Sequence, residues 1–321
     1  MSATGTIIIP AHNEQYFIAG LLKSLETHLS APTQIVVVAN GCSDATAETA
    51  RALGCEVVEI AEKEFPSAAR NYGVSLAKGD VFAFLDADVE VTQAWCNAYK
   101  RLLDCDNLPE YLLTGDQYWI SKKPSWIEKH WFLPLREFPK NYINGGNVIV
   151  TRTLFDKING FDERLETGED VDFCLRAQQV TDQFVINPDF VTLHEGFPKD
   201  VKSFMKRERW HGKGDFEHLD FLIRSKTAIL TLVFMLLHGL LVLSLIALAI
   251  NGSGMAASIS AILVLTIIAI LMLTSCIRFK TFAVLFRPAV LVIQYLYFVG
   301  RGFAAIDAGF KYLRTRILSN S

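Results

Sequence analysis

The chain has 321 residues, of which 51% are hydrophobic and 20% charged, and its net charge is −3. That length admits two domains, and the near-neutral charge gives no basis for nucleic-acid binding. The charges are unevenly spread: no Asp, Glu, Lys or Arg occurs from Thr227 to Ile277.

The N-terminal part alternates short apolar runs with helical patterns. Strands are expected at Ile7–Ile9, Ile35–Val38, Val57–Ile60 and Val81–Leu85, and helices at Glu14–Leu29, Asp44–Leu53 and Ser67–Ala77. This rhythm predicts a parallel sheet with right-handed crossovers. Polar residues follow the strands: Pro10-Ala11-His12-Asn13-Glu14, then Asn40-Gly41-Cys42-Ser43-Asp44, then Asp86 and Asp88. Strand ends of one parallel sheet share an edge, so these groups should share a crevice. Neither a P-loop nor a Gly-x-Gly-x-x-Gly turn is present to explain it.

Asp86 and Asp88 end the run Phe84-Leu85 and point to one side, because a strand has period two. Two such carboxylates repel unless a cation or ligand lies between them. One reading is Mg²⁺ or Mn²⁺ carrying a phosphate; the other is a helix cap beside a solvated Asp. Further on, Asn144-Gly145-Gly146-Asn147 precedes a strand at Val148–Val150, where a Gly pair permits close backbone approach or makes a simple turn. Gly168-Glu169-Asp170-Val171-Asp172 places carboxylates at a helix start, where N-capping is one explanation. His194 ends a strand over Phe190–Leu193; it is either a third metal ligand or diphosphate donor, or a satisfied core histidine.

Trp126, Trp131, Phe132, Leu133 and Phe138 cluster before the Gly pair and suggest a core, or an interfacial flap or helix. The run Lys206 to Lys213 gathers cations around Trp210 ahead of the apolar region, as a basic anchor with a belt Trp would. Spans are expected at about 227–250 and 255–276, separated by the turn Asn251-Gly252-Ser253-Gly254. Arg224 and Lys226 before them, with Arg278 and Lys280 after, place both ends of the hairpin in the cytoplasm. The apolar segment 282–300 is interrupted at Arg287-Pro288 and is expected to be surface-lying or re-entrant, with a third span as the alternative. An amphipathic interfacial helix is expected over 302–318, with Phe303, Ile306, Phe310, Leu313 and Ile317 on one face and Lys311, Arg314 and Arg316 between them. The segment Met1–Gly5 shows no secretory pattern, and the six cysteines lack metal-ligand spacing, so a cytosolic first domain is expected.

The ordered blocks Ile-Ile-Pro-Ala-His-Asn-Glu, Val-Val-Ala-Asn-Gly-Cys-Ser-Asp-Ala-Thr, Ala-Ala-Arg-Asn-Tyr-Gly, Phe-Leu-Asp-Ala-Asp and Gly-Glu-Asp resemble family 2 glycosyltransferases over roughly the first two thirds of the chain. The resemblance implies an α/β GT-A fold, a mostly parallel sheet flanked by helices, over residues 1–222, with an all-α membrane region over 223–321. It implies that Pro10, Asn13, Glu14, Asn40, Asp44, Arg70 and Asp86 bind a nucleotide-diphosphate sugar. Asn40 stands where Asp is usual. Asp88, with Asp86 and His194, would hold a divalent cation, Mg²⁺ or Mn²⁺. Asp170 would be the catalytic base, with Glu169 beside it. The Lys206–Trp210 element is similar to the Gln-x-x-Arg-Trp of membrane synthases, with Lys in place of Gln, so Arg209, Trp210, His211 and Lys213 join Gly145 and Gly146 as diphosphate or acceptor contacts.

The implied activity is inverting, metal-dependent transfer of a sugar to a membrane-held, polyprenyl-linked glycan in cell-envelope polysaccharide or glycolipid synthesis. The alternatives are a polyprenyl-phosphate monosaccharide synthase and, outside enzymes, a membrane scaffold built on an inert GT-A fold.

Overall fold

The computed structural model describes residues 3–136, 141–216, 222, 223 and 225–319, with side chains up to Arg314. Phe138 and Arg224, and the side chains of Arg316 and Ile317, lie outside the described residues. The chain forms two units, Met1–Lys123 with Pro139–Phe197 and Pro124–Phe138 with Pro198–Ser321.

The first unit is built on a seven-stranded sheet of order β3-β2-β1-β4-β7-β6-β8. Its strands are β1 (Gly5–Ala11), β2 (Thr33–Asn40), β3 (Glu56–Ile60), β4 (Val81–Leu85), β6 (Leu113–Gly115), β7 (Asn147–Thr151) and β8 (Phe184–Ile186). The block β3-β2-β1-β4 is parallel, as the alternation of runs predicts. Helices α1 (Ile18–His28), α2 (Thr46–Ala52), α3 (Pro66–Leu76) and α4 (Gln93–Leu103) fill the connections, and α6 (Arg152–Lys157) follows β7.

Every residue of β4 is buried, and its side chains divide by period two. Val81, Ala83 and Leu85 pack with Ile7, Ile9, Leu21, Trp95 and Tyr99. Phe82 and Phe84 pack on the other face with Val148, Val150, Phe155, Phe161 and Phe173. A strand covered on both faces has no room for charge, so polarity first returns at Asp86, where the sheet ends.

Two pairings that local patterning does not announce then shape that edge. β7 runs antiparallel to β4 with Leu85 opposite Asn147, which sets Gly145 and Gly146 beside Asp86. A separate two-stranded ribbon joins β5 (Val89–Val91) to β9 (Thr192–His194), with Val89 opposite His194. That register carries His194 across about a hundred residues of sequence to the neighbourhood of Asp88.

The second unit contains α5 (Leu133–Arg136), α8 (Val201–Phe216) and three helices long and apolar enough to cross a membrane, Lys226–Asn251, Gly254–Phe279 and Pro288–Arg314. Gly252 closes the first of them in the left-handed region (φ 58°), its N–H bonding Leu248 O at 2.9 Å. Ser244 and Ser260 hydroxyls meet at 2.8 Å between the first two helices, satisfying each other where few polar partners exist. Trp131 lies within this unit's core, its ring 5.7 Å from Phe204, 5.6 Å from Phe279 and 5.5 Å from Tyr297.

The third apolar segment and the amphipathic tail are one helix, Pro288–Ser319, rather than two elements, preceded by a 3₁₀ turn at Phe282–Phe286. The reason is packing. Arg301, mid-helix, bonds Asp215 and lies 3.5 Å from Glu208, both on α8. Gly212 and Gly300 let the two helices approach closely, since a Cβ at either would press on the partner helix. A charge so accommodated does not end the helix.

Asn147 ties the edge of the first unit together. Fully buried, it accepts from Trp95 Nε1 at 2.8 Å and donates to Phe190 O at 2.7 Å and Asp116 O at 3.1 Å. Asn147→Ala orphans three buried groups, at about 1–3 kcal/mol each before relaxation. We expect a loss of about 3 kcal/mol or more, read as a lowered thermal midpoint in detergent by near-UV circular dichroism.

Candidate active site

The edge where β1, β2 and β4 end and β7 begins gathers most of the expected residues, and a buried arginine organises them. Arg70, on α3, has a side chain only 4% exposed. Its Nη2 donates to Asp86 Oδ1 at 2.9 Å and its Nη1 to Glu169 Oε1 at 2.8 Å. The guanidinium lies over the Phe161 ring and against Gly145, where a Cβ would sit 2.9 Å from Nη2. Only glycine admits the arginine so close to the β7 turn.

Asp86 has a second partner. Tyr118 donates its hydroxyl to Asp86 Oδ2 and accepts from the Gly146 N–H at 2.9 Å. The Tyr118 ring also packs on His194, with centroids 4.5 Å apart. Burial and the Asp86 charge hold the phenol well above its ordinary range. Nothing in the sequence patterning singles out Tyr118; it lies outside every motif, just beyond the short strand β6.

Within the expected metal set the three side chains stand differently. Asp86 is taken up by Arg70 and Tyr118, and among the described residues no group of three His, Cys, Asp or Glu side chains is arranged to hold a metal. Asp88 and His194 remain as a pair, Oδ2 to Nε2 at 3.6 Å. Gly196 passes so close that a Cβ there would overlap the Asp88 carboxylate, and the Glu195 N–H bonds Asp88 O at 2.8 Å. Burial raises Asp88, partly offset by His194 and reinforced by Asp86. His194 Nδ1 is buried without a hydrogen-bond partner.

Asp170 and Glu169 open α7 (Glu169–Gln178). The cap residue is Gly168, in the left-handed region at φ 80°, so neither carboxylate is the N-cap. Asp170 accepts from Val171 N at 2.8 Å and Gly145 N at 3.3 Å. Burial, then the neighbouring Glu169, pushes its carboxyl up to about 6, against the pull of Arg70. Glu169 is paired with Arg70 and Asp170 is not, so the two carboxylates differ in environment.

The remaining expected donor residues divide. Glu14 follows β1 and its carboxyl is pushed up to about 8 by burial and by the charges of Asp88, Asp86 and Asp44. Asn13 takes a left-handed conformation (φ 58°) and accepts from Ser43 N at 2.8 Å, locking the β1 and β2 loops together. Asp44 accepts from Gln15 N and Thr46 N, which holds its carboxyl below its ordinary range. Pro10 lies within β1. Asn40 is buried, and both ends of its amide bond the Glu64 backbone at 2.9 and 2.8 Å, so it shapes the loop instead of presenting its amide to a base.

Arg209, Trp210, His211 and Lys213 belong to the other unit, on α8. Arg209 makes a bidentate pair with Asp307, both contacts 2.6 Å, and Arg207 pairs with Glu208 at 2.8 Å. Burial, with Arg207 and Arg301 nearby, pushes His211 down to about 3, so its ring stays neutral. Trp210 is 37% exposed and its ring lies 4.7 Å from that of His211.

Comparison with known proteins places this edge in context. Residues 6–155 match the model described as glycosyl transferase family 2, and residues 136–296 match glycosyl transferase family group 2. Glycosyltransferase AglE of Haloferax volcanii is 24% identical over 66% of this chain and 73% of its own length. The 4,4'-diaponeurosporenoate glycosyltransferase of Staphylococcus aureus is 33% identical over 40% of this chain and only 33% of its own length. The mannosyltransferase PcManGT from Pyrobaculum calidifontis, solved with GDP-Man and Mn²⁺, shares the fold with a TM-score of 0.59 over 95% of this chain and 88% of its own, at 18% identity. The mostly parallel sheet flanked by helices, the apolar helices that follow and the matched models agree: the chain belongs to glycosyl transferase family 2 and is a transferase of GT-A fold.

Proposed function

We propose that the protein transfers a sugar, with inversion, from a nucleotide-diphosphate donor to an acceptor held in the membrane, at its cytoplasmic face. One observation carries this reading: Arg70 pairs with Asp86 and Glu169 and leaves Asp170, raised to about 6, as the unpaired carboxylate beside the Gly145–Gly146 turn. A base poised just below neutral pH can take an acceptor hydroxyl's proton while remaining ionised in the resting site. The three apolar helices support the membrane-held acceptor, because a soluble one would not require anchoring. Lys226 before the hairpin, with Arg278 and Lys280 after it, favour the cytoplasmic side.

The residues present fit a divalent cation, the group Mn²⁺ represents in PcManGT. Asp88 offers a half-buried carboxylate faced by His194 Nε2, and the other ring nitrogen of His194, Nδ1, is buried without a partner. Mg²⁺ and Mn²⁺ are commonly bound through one or two protein groups plus substrate phosphates. When bound, the cation would neutralise the departing diphosphate. Asp86, fixed by Arg70 and Tyr118, is then a donor-binding and orienting group. Asp170 accepts the proton of the attacking hydroxyl, and its hydrogen bond from Gly145 N fixes the direction of approach. Glu14 and Asp44 remain donor-side groups, with Asn13 and Asn40 setting the loops on which they stand.

Asp170→Asn should lower turnover by 10²–10⁴-fold, about the contribution of a positioned base, while donor affinity is kept. Asp88→Ala should instead lose cation-dependent donor binding. Both are read by transfer of labelled sugar from a panel of nucleotide donors into a lipid extract, alongside donor titration with and without Mn²⁺. Normal turnover by Asp170→Asn would remove it as the base, and label entering a soluble sugar instead of lipid would remove the membrane acceptor.

The pH profile gives a separate check. A base acts deprotonated, so activity should fall as pH drops through about 6. Glu169→Gln removes a charge that raises Asp170, so the acid limb should move to lower pH. An unmoved limb would mean that another group titrates.

A further inference from the structure

Beside the crevice, the first unit holds a cavity of about 350 Å³ whose lining the transfer chemistry does not use. Three stretches that shape the crevice run on into it. Glu14 is followed by Tyr16 and Phe17, Asp88 by Glu90, and His194 by Glu195, and these later residues line the cavity. The Phe17 N–H bonds Glu14 O at 2.9 Å, so the turn that carries Glu14 also presents Tyr16 at the head of α1. The β5–β9 ribbon divides its two faces between the sites. Val89 and His194, paired across it, project to one face, and the next pair, Glu90 and Leu193, to the other. Trp119 bridges Leu193 and so joins the face of Glu90.

The chemistry of the lining is mixed in a particular way. Tyr16 is 85% exposed, with Phe17 exposed beside it, so aromatic surface stands open at the rim. Lys122 pairs with Glu90 through its ammonium, and its backbone N–H donates to Glu195 Oε1 at 2.9 Å. With Lys123 the lining carries two carboxylates and two lysines, and so no net charge. That balance gives no advantage to a phosphate, to an anionic lipid surface or to a cation. It does supply both acceptors and donors for hydroxyl groups, and the negative face of an aromatic ring attracts C–H groups. Gly20 keeps the floor open, since a Cβ there would stand 3.2 Å from Glu90 Oε1. An uncharged ligand with hydroxyls around its edge and C–H groups on its faces is a saccharide. The volume lies near the low end of the range for small-molecule sites, about 300–1,000 Å³, and so suits a short stretch of one.

We infer that this cavity binds a saccharide: a sugar unit of the acceptor, remote from the hydroxyl that is attacked, stacks on Tyr16 and Phe17 and hydrogen-bonds to Glu90, Glu195 and Lys123. This rests on the reading of a membrane-held acceptor and deepens it, because an acceptor that is a bare lipid phosphate has no sugar to place there.

The test is saturation-transfer NMR on the full chain in lauryldimethylamine oxide, a detergent without a sugar headgroup. The probes are the methyl glycosides of mannose, glucose, galactose and N-acetylglucosamine, with no nucleotide present. At least one should receive saturation from the protein. Tyr16→Ala removes an exposed ring and should weaken that binding about tenfold, whereas Tyr16→Phe keeps the ring and should keep the binding. Gly20→Ala favours the helix and should fold at least as well as the parent, yet its methyl narrows the floor and should weaken binding too. Silence from every glycoside would overturn the site, as would unchanged binding by both Tyr16→Ala and Gly20→Ala. Donor titration of Tyr16→Ala should match the parent; a loss there would assign the cavity to the donor and overturn its role toward the acceptor. Sugar transfer into lipid is measured in parallel. If Tyr16→Ala loses the glycoside but the parent labels no lipid, the site stands and the membrane-acceptor reading fails. If the parent labels lipid but binds no glycoside, that reading stands and the site fails.

Discussion

The Arg70 guanidinium, held between Asp86 and Glu169, is the contact on which the crevice depends. A buried cation is costly unless its hydrogen bonds and charge are answered, and this one is answered from two distant parts of the chain. Asp86 ends the central strand, and Glu169 opens a helix more than eighty residues later. One side chain therefore sets the distance between the edge of the sheet and the start of α7. Removing it would leave two carboxylates facing each other beside a third, with no other ion pair to balance them among the described residues.

The same clamp sorts the acids. Without Arg70, Asp86, Glu169 and Asp170 would be chemically alike. With it, Asp86 and Glu169 are ion-paired, while Asp170 has two backbone donors and a raised carboxyl. Tyr118 extends the sorting to the other side: it satisfies the second oxygen of Asp86, bonds the Gly146 amide and packs on His194. A displacement of the Gly145–Gly146 turn would thus be felt at Asp170, at Asp86 and at the Asp88–His194 pair together.

Much of this was legible in the sequence, for identifiable reasons. The parallel strands announce themselves because strands buried on both faces must be continuously apolar, and the polar residues that follow mark the edge where they end. The Asp-x-Asp spacing and the Glu-Asp pair at a helix start are local patterns, and local patterns survive in one dimension. Tyr118 was not legible: its function depends on β6 and on a β7 turn thirty residues away. The division between Asp86 and Asp88 was hidden for a similar reason, since spacing equates them and only Arg70 and Tyr118 tell them apart. Asn40 looked like a ligand-binding amide because its loop is a motif, yet its partners are the Glu64 backbone groups. The continuous helix Pro288–Ser319 was obscured by Arg301, whose charge reads as a membrane boundary until Asp215 and Glu208 are placed against it.

Charge balance at the crevice bears on how a donor could enter. Glu14, Asp86, Asp88, Glu169 and Asp170 converge there, and the cation placed among them is Arg70, already matched by two of them. Glu14 responds to the resulting potential, its carboxyl raised to about 8 by burial and by Asp88 and Asp86. A nucleotide diphosphate brought to such an edge adds negative charge where the field already opposes it. Favourable entry therefore needs positive charge to arrive with the donor, or protons to be taken up by the acids. The second route would neutralise Asp170, whose raised carboxyl makes it one of the first to accept a proton, and so would disable the base proposed there. A divalent cation held by Asp88 and His194 would relieve the same field and leave Asp170 ionised, which makes the proposed base and the proposed metal one electrostatic problem.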